Sequence, residues 1–149
     1  MTIITYVYPG DILSDESEAI VIPVNTLGIA GAGLARQWKI QYPDEHRRYV
    51  LACKEKRLNI GEVLPVVSLS DHMFLCFPTK IAPRDRSKLE WVETGLSNLQ
   101  WKATALWISS IALPALGCGL GGLPWEDVKP LIEKYLGCLD IPVRVYLPR

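Results

Sequence analysis

Short runs of apolar, largely β-branched residues alternate along the chain with longer segments whose apolar positions recur every three or four residues. The first pattern predicts strands and the second predicts amphipathic helices. Ile3–Tyr8 and Ala19–Val24 read as the first two strands, followed by Pro9-Gly10-Asp11 and by Asn25. A helix is expected from about Gly33 to Tyr42, and Pro43 restarts a helix through about Lys56. Val63–Val67 and Phe74–Phe77 are short strands. Ser87 reads as the N-cap of a helix from Lys88, with Glu90 at the capping-box position. Leu89, Val92, Leu96 and Leu99 give that helix one apolar face. Trp107–Leu113 is the next strand. Trp125–Leu136 is a helix whose Glu126 and Asp127 suit its first turn, and Val143–Tyr146 closes the sheet. The order β-β-α-α-β-β-α-β-α-β predicts a three-layer α/β/α domain with a mixed central sheet, its ligands received at the C-terminal ends of the strands.

Composition narrows the picture. At 149 residues, 49% hydrophobic and 21% charged, the chain is expected to form one folded domain over residues 1–149. Sixteen Lys plus Arg balance sixteen Asp plus Glu, so any grip on nucleic acid must be local rather than a bulk electrostatic effect. The N-terminal stretch has no basic region followed by a long apolar one, so no signal peptide is expected, and no segment reaches the roughly 20 apolar residues of a membrane span. Cys53, Cys76, Cys118 and Cys138 show no C-x-x-C spacing, and His46 and His72 are the only histidines. Neither a metal site nor a cofactor is expected, and the setting should be reducing and cytoplasmic.

Two glycine clusters carry the candidate chemistry. In Val24 to Trp38 a strand leads into Gly28, Gly31 and Gly33 and then a helix; in Ile111 to Val128 a strand leads into Gly117, Gly119, Gly121 and Gly122 and then a helix. Glycine lets backbone N–H groups approach a ligand closely, and a loop at a helix N-terminus is a natural anion cradle. Two such loops in one sheet would clamp a diphosphate from both sides. The second cluster also satisfies G-x-G-x-x-G, with Asp140 at a suggestive distance. Only one strand remains after it, so no second mononucleotide half can be built, and a dinucleotide-binding dehydrogenase is rejected. Neither cluster is followed by G-K-[ST], which rejects a Walker loop.

The set Gly10-Asp11-Ile12, Val24-Asn25-Thr26, Gly31-Ala32-Gly33 and Pro114-Ala115-Leu116-Gly117-Cys118-Gly119 resembles a macrodomain, an ADP-ribose-binding module, over essentially the whole chain. The resemblance implies that Asp11 accepts a hydrogen bond from the adenine amino group, with the Ile12 backbone beside it. It implies that Gly31 to Gly33 and Gly117 to Gly121 wrap the diphosphate and distal ribose, and that Asn25 bonds hydroxyls of that ribose. Thr26, Ala32, Leu34, Pro114, Leu116, Cys118, Leu120 and Gly121 complete the implied binding set. Cys118 is read as a small packing residue, because no histidine accompanies it.

Phe74 to Leu96 contains Phe-Pro-Thr-Lys, then arginine, Ser-Lys-Leu-Glu and Trp, and resembles the DarG-like branch of macrodomains, which belongs with the terminal ADP-ribose protein glycohydrolases. The resemblance makes Lys80 catalytic. Cleaving ADP-ribose from a base or an ester breaks the bond at the distal anomeric carbon through a cation-like centre, where a lysine serves as nucleophile or as proton donor. The protein-directed branch carries an aspartate where this chain has Gly121, and the DarG-like loop often carries a lysine where it has Ala32. Ile81-Ala82-Pro83 replaces a more polar, aromatic stretch, which bears on substrate selection. The paired asparagines and longer glycine run of the widespread macrodomain hydrolases are missing.

The implied activity is removal of thymidine-linked ADP-ribose from single-stranded DNA, reversing a DarT-like toxin, with Arg84 and Arg86 as local contacts to DNA phosphates. The chain is expected to act as a monomer away from membranes. Two rival readings use the same loops. One is a non-catalytic module that binds ADP-ribose or a nucleotide signal, and the other is a hydrolase of protein-ester-linked ADP-ribose or ADP-ribose 1″-phosphate.

Overall fold

The computed structural model describes residues 3–8, 10–69 and 72–148; Pro9 of the expected first turn lies outside them. The elements follow in the expected order: β1 (Ile4–Val7), β2 (Ala19–Asn25), α1 (Gly33–Gln41), α2 (Pro43–Lys54), β3 (Leu64–Val67), β4 (Met73–Lys80), α3 (Leu89–Ala105), β5 (Ile111–Pro114), α4 (Trp125–Leu136) and β6 (Val143–Tyr146). A 3₁₀ turn at Ile12–Ser14, capped by Asp11, is the one element without a sequence expectation. The strands form a single sheet in the order β1-β6-β5-β2-β4-β3. Every pair is parallel except β3 with β4, so the sheet is mixed.

β2 is buried on both faces, which explains its unbroken apolar run, unlike the alternation of a half-solvated strand. Ala19 and Val21 pack with Leu75, Phe77, Leu113 and the apolar sides of α3 and α4. Ile20, Ile22 and Val24 face the opposite layer with Phe74 of β4, Trp38 of α1 and Tyr49 of α2. Trp38 and Tyr49 are wholly enclosed and seat that helical pair on the sheet. In α3, a Cβ at Gly95 would lie 2.3 Å from the ring of Phe77, which is itself fully buried. The missing side chain therefore sets how closely α3 approaches β4, three residues before the strand end that carries Lys80.

Two expectations need correction. The strand expected over Trp107–Leu113 is Ile111–Pro114. Its first residues instead stop α3: Ile108 N–H donates to Ala103 O and Trp107 N–H to Thr104 O, with Trp107 in the left-handed region at φ 55. This is the hydrogen-bond pattern that terminates helices, built here without the usual glycine. Ser87 is not the N-cap of α3; Lys88 occupies that place, with no side-chain cap. Ser87 is buried elsewhere, under the second glycine loop.

One polar knot holds β6 to the segment before β2. The buried Asp15 accepts from Ser17 N–H (2.8 Å), Arg144 Nε (2.8 Å) and Tyr146 OH (2.6 Å). Burial pushes its carboxyl up, but the bonds from Ser17, Tyr146 and Arg144 outweigh burial and hold it at about 2, below its ordinary 3.8. A carboxyl whose folded value is depressed contributes stability above its unfolded value and loses it as pH falls through the folded one. Urea unfolding across acid pH should therefore show stability falling from about pH 4 to about pH 2, by on the order of 2 kcal/mol for this group. Asp15→Asn should be less stable at neutral pH and show a shallower acid dependence; an unchanged slope would remove Asp15 from this role.

Candidate active site

The ladder between β2 and β5 pairs only Ala19 with Ile111 and Ile20 with Ala112, whereas β2 stays paired with β4 to its end. Pro23, with no N–H to give, stands in the part of β2 beyond the β5 ladder. The chain leaves β2 for α1 on one face and β5 for α4 on the other. Such a switch point opens a crevice at the strand ends. A cleft of about 380 Å³ lies here, lined by Pro23, Val24 and Asn25 of β2, Thr79 and Lys80 of β4, and Pro114 of β5.

A bulge aims Lys80. Val24 stands opposite Pro78 and Asn25 opposite Lys80, so Thr79 is one residue extra on β4. Bulges beside active sites redirect side chains in this way. Lys80 is the last residue of β4, three residues beyond the expected strand end, and its Nζ donates to Pro83 O at 3.1 Å. It is the only ionisable residue on the cleft wall among the described residues.

The first glycine loop is shaped by its own asparagine. Asn25 Nδ2 donates to Ile29 O at 2.7 Å, and its Oδ1 accepts from Leu27 N–H and Ile29 N–H. Tyr49 OH, from α2, donates to Asn25 O at 2.6 Å. The side chain expected to meet ribose hydroxyls is thus largely engaged in holding the loop, leaving one amide hydrogen. After it, Gly31, Ala32, Gly33 and Leu34 line the cleft. A Cβ at Gly31 or Gly33 would meet no protein atom within 4 Å, so packing does not demand glycine at Gly31, and at Gly33 the backbone does, through φ +62. Helix α1 begins here, on the cleft wall, without a side-chain cap, and the N–H groups of its first turn have no intrahelical partner.

The second loop is two linked turns, with Cys118 N–H donating to Ala115 O and Gly122 N–H to Gly119 O. Pro114, Gly117, Gly119, Leu120 and Gly121 line the cleft. Beneath them, Ser87 N–H donates to Gly121 O at 3.1 Å, while Ser87 Oγ is buried with no hydrogen-bond partner. A Cβ at Gly121 would lie 2.3 Å from that oxygen and 2.6 Å from Gly117 O.

The remaining expected residues stand off the cleft wall. Thr26 links the first loop to the lysine strand, its N–H shared between Lys80 O and Ile81 O at 3.2 Å each. Leu116 is fully buried. Burial first, then Glu126, pushes the Cys118 thiol up to about 11, which keeps it protonated and unreactive at neutral pH. Asp11 and Ile12 sit at the 3₁₀ turn after β1, where Asp11 accepts from Leu13 N–H and Ser14 Oγ and the Tyr146 ring packs closely against Gly10. Arg84 and Arg86 are exposed outside the cleft, with the Arg86 guanidinium 3.8 Å from where a Gly122 Cβ would be. Sequence reasoning missed Tyr49, Pro83 and Ser87. Tyr49 and Ser87 act across the fold at separations no local pattern reveals, whereas Pro83 belonged to the Ile81-Ala82-Pro83 stretch already noted.

A family model described as Macro domain matches residues 21–132. The DNA ADP-ribosyl glycohydrolase of Thermus aquaticus is 40% identical over 145 residues, covering 93% of this chain and 40% of that protein. The chain thus spans about two fifths of the length of the curated relatives it matches. The solved macrodomain of Thermus aquaticus DarG shares the fold at TM-score 0.93 and 39% identity, covering 99% of this chain and 100% of that one. Thermosipho africanus DarTG, solved in complex with ADP-ribose, matches at TM-score 0.87 and 37% identity over 93% of this chain and 40% of its own.

The Ser87 and Gly121 contact makes a direct prediction. Gly121→Ala should lower unfolding free energy by about 1–3 kcal/mol through overpacking. Adding Ser87→Gly should recover only part of the loss, because Gly117 O stays in place. Denaturant titrations of the three variants decide it, and full recovery would mean that the carbonyl contact does not matter.

Proposed function

The chain belongs to the macro domain family, and we propose that it is a glycohydrolase that binds ADP-ribose in the cleft and removes it from modified nucleic acid, as thymidine-linked ADP-ribose on single-stranded DNA. The observation that carries this reading is Lys80, the single charge on an otherwise uncharged cleft wall, at the strand ends between two glycine loops. The open N-terminus of α1 and the loop N–H groups add to its positive potential for a diphosphate. Asp11 takes the adenine end, and Asn25 and the second loop hold the distal ribose.

Hydrolysis breaks the bond between the distal anomeric carbon and the base nitrogen. The base nitrogen takes a proton, and the oxygen of water ends on the carbon. Lys80 acts beside that carbon, as nucleophile or as donor of the proton to the departing base. Reversal of DNA modification gives the chain a DarT-like transferase as its functional counterpart, and we propose that residues 1–149 act as one macrodomain and as a monomer.

The test is release of ADP-ribose from thymidine-modified single-stranded DNA, with ADP-ribose affinity measured in parallel by calorimetry. Lys80→Ala should reduce the rate at least about 100-fold, the range of a lost acid or base, while affinity for free ADP-ribose holds. Arg84→Ala should weaken the DNA substrate more than free ADP-ribose. Binding without release from the parent protein would select a reader module instead, and release from protein esters alone would select the ester hydrolase.

A further inference from the structure

The glycohydrolase reading accounts for the cleft but not for the apolar surface outside it. Leu27 is 55% exposed and Ile81 is 47% exposed, and neither lines the cleft. They follow immediately on the two residues whose backbones are joined beside the candidate catalytic group. Thr26 N–H is shared between Lys80 O and Ile81 O, and Thr26 Oγ1 donates to Ile81 O at 3.3 Å. Two large exposed aliphatic residues thus follow directly on this joined backbone at the strand ends, one residue past Thr26 and one past Lys80. The turn that carries Ile81 is closed by Ala82 N–H donating to Asp85 Oδ2 and Asp85 N–H donating to Ala82 O.

The same segment is locally basic in a neutral chain: Lys80, Arg84, Arg86 and Lys88 stand against the one acidic residue Asp85. Arg84 and Arg86 are exposed and make no ion pair among the described residues. Aliphatic surface next to unpaired cations fits an unpaired strand, whose bases need an apolar face and whose phosphates need charge. A duplex hides its base faces and has no use for such a surface.

We propose that Leu27 and Ile81 form a shelf on which a nucleobase adjoining the modified nucleotide packs while Arg84 and Arg86 hold its phosphates. The shelf makes the protein a reader of single-stranded DNA around the lesion, not of the ADP-ribosyl group alone. The inference rests on the nucleic-acid substrate proposed above, and its test needs no bond cleavage.

The probe is a fluorescent ten-residue thymidine oligonucleotide, unmodified, titrated into protein saturated with ADP-ribose. Its control is an abasic oligonucleotide with the same number of phosphates. Wild type should bind the thymidine strand more tightly than the abasic one. The double variant Leu27→Ala, Ile81→Ala should lose about tenfold on the thymidine strand, the effect of losing roughly 55 Å² of covered apolar surface, and nothing on the abasic one. Its melting temperature and ADP-ribose affinity should match wild type, since both side chains lie outside the cleft. Three results would each overturn the shelf: equal binding of the two strands by wild type, binding of neither, or no loss in the double variant. Each of these reads independently of whether Lys80 releases ADP-ribose, so failure of the shelf and failure of the glycohydrolase reading give different outcomes.

Discussion

The site depends on where one β-ladder stops. β2 holds β4 through seven residues but releases β5 after two. Had that second ladder run on to Pro114, the strand ends would have closed over the volume now used by the cleft. The cost is tolerable because β2 is clamped on both faces by helices, so its position does not rely on β5. Helices leaving β2 and β5 toward opposite layers carry the two glycine loops apart, and the separation gives the cleft its width. Core packing and site geometry are thus two descriptions of one arrangement.

Within that crevice, charge is supplied sparingly. Apart from Asn25, Thr79 and Lys80 the walls are glycine, proline and aliphatic side chains, and the positive potential comes from backbone N–H groups and that one lysine. Backbone dipoles are fixed by the fold and cost no reorganisation when an anion arrives. A lysine standing alone in such a setting has no neighbouring carboxylate on the wall to neutralise it. Cys118, the other group with nucleophilic chemistry in these loops, is kept inert by burial and by Glu126.

Much of this was legible in the chain. The order of the elements followed from the alternation of β-branched runs and helical spacing, because each strand and helix has enough local pattern to declare itself. The two glycine loops and Lys80 were likewise visible as local words. What failed was local grammar with more than one meaning. Trp107 and Ile108 are as apolar as a strand start, but a preceding helix that runs to Ala105 needs a left-handed stop there. Ser87 followed three residues later by Glu90 spells a capping box, yet the serine is held by Gly121 O and cannot turn to cap. Asn25 at a strand end reads equally as a ligand contact and as a loop staple, and only its bonds to Leu27 and Ile29 show how much of it the loop consumes.

The lysine is placed by long-range contacts that no single stretch of sequence contains. Its backbone is fixed from three directions: by the ladder to Asn25, by the shared Thr26 N–H, and by Phe77 seated against Gly95 three residues below. Its ammonium is tethered by a single exposed hydrogen bond to Pro83 O. A rigid base under a lightly held tip suits the role proposed for Lys80, which would first stand aside for a ligand and then reach a single carbon, since misplacement by about 1 Å can cost about 100-fold in rate. Strand register, helix approach and loop anchoring together supply that precision, while the side chain keeps the freedom to use it.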